Sequence, residues 1–99
     1  VDLTRAGDRV YMSAPANLSG KLEIRGLGIV QVAFAPSAPL ALICDLVHAD
    51  QIDRLPDVAI ETVLDQLVPF MKIDSQTQSA AAKVRYALKV ARGEIELIT

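Results

Sequence analysis

The 99-residue chain has no tryptophan, only two tyrosines and two phenylalanines, one cysteine and one histidine. Each shortage closes a class of function. One thiol and one imidazole cannot build a disulfide framework or a zinc site. So few aromatics leave no platform on which nucleic-acid bases could stack. Ten Lys and Arg stand against twelve Asp and Glu, giving a net charge of −2 with the signs interspersed. The clustered basic excess of a nucleic-acid surface is therefore missing. No apolar run approaches the roughly 20 residues of a membrane span, and no signal peptide is visible. Also absent are a G-x-x-x-x-G-K-[ST] phosphate loop and any Asp-Asp pair. The chain begins Val1-Asp2-Leu3 without Met and reads as a fragment, a processed product or the ordered part of something larger.

What is present is apolar material. At 52% hydrophobic the chain can fill a single modest core, and a disordered segment is not expected. Cys44 follows Leu40-Ala41-Leu42-Ile43 and reads as a small buried hydrophobe in a reducing compartment, the cytoplasm.

Val1 to Leu3 and Arg9 to Ser13 flank a turn punctuated by Gly7-Asp8, which predicts a hairpin. Ala14 to Gly20 reads as loop. The prolines at 36 and 39 bar Ala35 to Pro39 from a central strand. Leu40 to Val47, broken only by Asp45, has the continuous apolar character of a strand covered on both faces; periodicity alone leaves a buried helix segment open. His48 to Asp57 reads as a connection. Ile60 to Ile73, with Pro69 in the middle, predicts two short strands or a kinked edge strand. Ser79 to Arg92 is an amphipathic helix. Val84, Ala87, Leu88 and Ala91 form its apolar stripe, Ser79 is placed to cap it and Gly93 to end it.

The most informative stretch is Leu22-Glu23-Ile24-Arg25-Gly26-Leu27-Gly28-Ile29-Val30. Lys21 to Ala33 is strand-like, interrupted by the two glycines. If the run is a strand, Glu23 and Arg25 share a face. Such a pair is costly to bury unless it pairs or meets a ligand. The alternatives are an exposed Glu–Arg pair and a simple glycine bulge.

The nonamer resembles the signature segment of HPr kinase/phosphorylase, the bacterial enzyme that phosphorylates a serine of the carrier protein HPr. Looser similarity runs from about Val1 to about Arg92 and looks closest to the short alphaproteobacterial form. Its landmarks are Ala14-Pro15-Ala16, Leu40 to Leu46, Arg54-Leu55-Pro56 and Ser79-Ala80-Ala81-Ala82-Lys83. The resemblance implies an α/β fold of the P-loop, PEP-carboxykinase-like kinase type. Residues 1–99 would then be the C-terminal two-thirds of one catalytic domain, with a mixed sheet and a C-terminal helix. The family's phosphate loop and paired aspartates lie just upstream of the matching segment.

The resemblance further implies an ATP- and magnesium-dependent serine kinase that acts on HPr, regulates carbon or nitrogen use and assembles as a homo-oligomer. It makes Glu23 part of the magnesium site, direct or through water, and Arg25 part of the active centre. Gly26 and Gly28 would stand on the nucleotide side, serving backbone shape rather than ligand contact. Where longer members carry an arginine-containing loop before the last helix, this chain has Ile73 to Ser79 with neither arginine nor glycine. That departure puts a reverse, dephosphorylating activity in doubt. Lys72 and Lys83 are nearby cations, but an ammonium does not copy a guanidinium fork. His48, Asp45 and the serines at 13, 19 and 79 read as structural or surface residues. The rival reading is a non-catalytic binding module that keeps the kinase-like core.

Overall fold

The computed structural model describes residues 1–54 and 59–98. Leu55 and Pro56, and with them the end of the expected His48 to Asp57 connection, lie outside the described residues. The chain divides into two compact units, Val1–Leu40 and Ala41–Thr99.

The first unit is built of β-strands with one short 3₁₀ turn, Ala16–Leu18. Strands β1 (Asp2–Ala6) and β2 (Arg9–Ser13) form an antiparallel hairpin in the register Ala6↔Arg9. Gly7, at φ +63°, supplies the left-handed residue that this tight turn needs. The expected hairpin is there: β2 has the expected bounds, while β1 runs on to Ala6 and the turn is correspondingly shorter. Val10, 3% exposed, is this unit's buried apolar side chain. A two-residue strand, β5 (Ala38–Pro39), adds to the edge of β2, with Pro39 opposite Tyr11. A proline is tolerated there because an outer strand can spare a donor.

The same unit holds a second sheet, the hairpin of β3 (Lys21–Ile24) and β4 (Gly28–Gln31). At its base the Val32 amide donates to the Gly20 carbonyl at 2.7 Å. Gly20 is buried under Phe34, whose ring would lie 3.1 Å from a β-carbon placed there.

The second unit is a three-stranded mixed sheet with a helix. Its order is β6 (Ile43–Leu46), β8 (Gln66–Ile73), β7 (Ala59–Val63). β6 runs parallel to β8 and β7 antiparallel to it. β6 is shorter than the Leu40 to Val47 run and lies at a sheet edge, with Asp45 and Leu46 exposed, so the expectation of a strand covered on both faces is corrected. Cys44 on β6 is half-buried, and this burial pushes its thiol above the ordinary range.

Pro69 lies inside β8, the central strand, rather than between two strands or on an edge strand. The ladder explains its place. β6 first pairs at Ile43↔Phe70, so at Pro69 strand β8 has only β7 beside it. The division between β7 and β8 falls instead at Leu64-Asp65, whose φ angles of 48° and 63° make a two-residue turn. Positive φ at both centres is the requirement of the type I′ hairpin, usually met by Asn-Gly. Among the described residues, Val68 and Ile73, each 3% exposed, are the buried apolar residues of this unit.

Helix α1 (Ala80–Ala91) packs against β8 through the expected stripe; Val84, Ala87, Leu88 and Ala91 are all half-buried. Its C-terminus is a Schellman motif. The Gly93 amide donates to the Val90 carbonyl at 3.0 Å and the Glu94 amide to that of Lys89 at 2.8 Å, with Gly93 at φ +75°. The N-terminus corrects the capping expectation: the Ser79 side chain makes no cap hydrogen bond. Its φ and ψ of −86° and 0° are helical, not the extended values of an N-cap. The preceding turn is held by Asp74, whose Oδ1 accepts the Gln76 amide at 2.9 Å and whose carbonyl accepts from Thr77 Oγ1 at 3.0 Å.

Candidate functional site

The nonamer is a hairpin, not an interrupted single strand. β3 ends at Ile24, and Arg25-Gly26-Leu27 form the turn. The Leu27 amide donates to the Ile24 carbonyl at 3.0 Å, which closes a four-residue turn. Gly26 stands third in it at φ +85°, the position where a type II turn demands positive φ. Gly28 opens β4 at φ +128°, a region L side chains rarely adopt. No atom crowds either glycine within 4 Å of where a β-carbon would stand. Their role in this structure is backbone conformation rather than close approach.

This geometry corrects the shared face expected for Glu23 and Arg25. Glu23 projects from β3 opposite Ile29, while Arg25 sits in the turn. Both are exposed, and among the described residues neither joins an ion pair or a side-chain hydrogen bond. The cost of burying an ion pair therefore does not arise. The hairpin presents a carboxylate and a guanidinium to solvent, with no partner holding either among the described residues.

The register also sorts the faces. Opposed residues share a side, so Leu22, Ile24 and Val30 lie on one face and Lys21, Glu23, Ile29 and Gln31 on the other. The apolar face is open: Leu22 is 50% and Ile24 40% exposed. Two strands bury too little on their own to close such a face.

The remaining sequence candidates do not gather here. Asp45 and Lys72 face each other across β6 and β8, both exposed. His48 is exposed and precedes a short 3₁₀ turn, Ala49–Gln51; its amide donates to Gln51 Oε1 at 3.3 Å. Lys83 is exposed on α1. No three His, Cys, Asp or Glu cluster to hold a metal among the described residues. Glu23 thus offers one carboxylate, which suits a magnesium ion that keeps waters and takes its other ligands from phosphates, but would not hold a bare ion alone. The sequence places Arg85 and Lys89 off the apolar stripe of α1; the structure groups them with Tyr86 on its exposed side, which sequence reasoning did not single out. Their i, i+1, i+4 spacing was the available signal.

No family model matches the chain, and no curated protein matches it. Among solved structures it is similar to the HPr(Ser) kinase/phosphatase from Coxiella burnetii, with a TM-score of 0.77 and 20% identity over 94% of this chain. The two share a fold. The likeness spans 64% of that protein's chain. Both have mixed α and β structure, and no described helix of this chain is long and apolar enough to cross a membrane.

Proposed function

We propose that this chain is the C-terminal two-thirds of a P-loop, PEP-carboxykinase-like catalytic domain of the short HPr kinase type. The whole protein would be a cytoplasmic homo-oligomer that phosphorylates a serine of HPr with Mg-ATP and so regulates carbon or nitrogen use. One observation carries the reading: a fold similar to an HPr(Ser) kinase/phosphatase has the nonamer at an exposed glycine hairpin where Glu23 and Arg25 have no partner among the described residues.

The chemistry asked of these residues is modest. In phosphoryl transfer the serine oxygen bonds to the γ-phosphorus as the bond to the ADP oxygen breaks and the serine proton passes to a base or to solvent, and the protein mainly positions and neutralises. Magnesium, when bound, neutralises charge on the phosphoryl oxygens. Glu23 would supply a carboxylate oxygen to that ion or to one of its waters. The Arg25 fork suits two phosphate oxygens at once. Gly26 and Gly28 set the turn that lifts Arg25 off the strand.

The second reading is a binding module without catalysis that keeps the kinase-like core. The two separate in one assay. The whole protein is incubated with HPr, ATP and increasing magnesium, and phosphoserine on HPr is measured by mass spectrometry. Magnesium-dependent phosphoserine supports the kinase. HPr left unmodified at saturating Mg-ATP favours the module.

A further inference from the structure

We propose that the solvent face of α1 is a docking surface for an acidic segment of a protein partner. The inference is independent of the kinase reading, since it involves neither the β3–β4 hairpin nor a nucleotide.

The chain as a whole is slightly acidic, yet from Ala80 to Arg92 it carries Lys83, Arg85, Lys89 and Arg92 and no acid. Arg92 is partly neutralised by Glu94 at 3.7 Å. Among the described residues, Arg85 and Lys89 have no carboxylate partner. Both are exposed, and with Tyr86 and Ala82 they line a shallow depression of about 220 Å³. The Lys89 ammonium stands 5.7 Å from the centre of the Tyr86 ring, a cation–π distance that holds its charge at the rim of the depression.

The spacing favours a peptide. Residues i and i+4 on a helix stand roughly 6 Å apart at their roots. Same-side residues of an extended chain repeat at about 6.6 Å. Alternate carboxylates of an acidic strand can therefore meet Arg85 and Lys89 together. A membrane-binding helix would instead need large apolar residues beside its cations. Of the residues lining the depression only Tyr86 has a large apolar body, and the tail beyond the helix interleaves Glu94 and Glu96 with Ile95 and Leu97.

The test is fluorescence anisotropy of a labelled decaglutamate peptide titrated with the 99-residue chain. Binding is expected, weakening as ionic strength rises from about 0.02 to about 0.2 M. The double variant Arg85→Glu/Lys89→Glu should lose about tenfold or more in affinity, and Arg85→Ala/Lys89→Ala a smaller part. Lys83→Ala, on the opposite flank of the helix, should change it by less than about twofold. Circular dichroism must show the helix retained; if the reversal variant loses it, the alanine pair decides. Absence of binding, an affinity indifferent to the alanine pair, or tighter binding to phosphatidylserine vesicles or single-stranded DNA than to decaglutamate would overturn the proposal.

Discussion

Two hairpins in this protein solve the same turning problem in opposite ways. β3–β4 turns on residues that the backbone asks for, with glycine at both positions of unusual φ. Its flanking side chains stay exposed. β7–β8 turns on Leu64 and Asp65, where aspartate tolerates positive φ but leucine resists it, yet β8 buries Val68 and Ile73 and is flanked on both sides over Phe70–Ile73. In the second hairpin, sheet pairing and burial overcome a poor turn. In the first, a good turn holds a poorly buried ribbon. A segment whose conformation is encoded locally while its side chains remain free is suited to contact something else. A segment forced by its neighbours serves the core.

The largest effect should come from the core of the second unit. Ile73→Ala is expected to cost about 3 kcal/mol in denaturant melts, because it empties a buried site on a central strand. Leu22→Ala on the open hairpin face should cost less than about 1 kcal/mol. Equal losses would erase the contrast between the hairpins. Next comes Gly26→Ala, expected to cost about 1–2 kcal/mol from the left-handed conformation alone, since no neighbouring atom obstructs a β-carbon there. A neutral result would mean that the turn is free to rearrange. Smallest is a gain: Leu64→Asn should stabilise by about 0.5 kcal/mol, as asparagine tolerates the I′ position better than leucine. A loss of similar size would show that leucine's packing outweighs its strain.

Legibility in the sequence followed the same division. The β1–β2 hairpin, the helix stripe and the Gly93 terminus were readable because local residues match local geometry. The β3–β4 turn was half readable. Its glycines marked an interruption, but a bulge and a hairpin share that signal, and only the ladder Leu22↔Val30 tells them apart. Leu64-Asp65 carries only the weak turn signal of a single Asp, without the usual glycine, so the kink was assigned to Pro69, the nearest residue that breaks ladders. The edge position of β6 was hidden because apolar content does not reveal how many neighbours a strand has. At the site, residue types pointed to Glu23 and Arg25, but strand periodicity misplaced Arg25 by carrying β3 one residue too far.

The account rests most directly on Glu23, an exposed carboxylate that nothing in the fold requires. The deciding measurement is a magnesium titration of phosphoserine formation on HPr by the whole protein, native and Glu23→Gln, beside a thermal melt of each. Glutamine keeps the shape and an acceptor oxygen but removes the charge. Stability should stay within about 0.5 kcal/mol of native, as for other exposed substitutions. Turnover should fall by about tenfold or more, consistent with loss of one metal-directed charge. Near-native turnover by Glu23→Gln at ordinary magnesium would contradict the account and leave the hairpin as a structural ribbon.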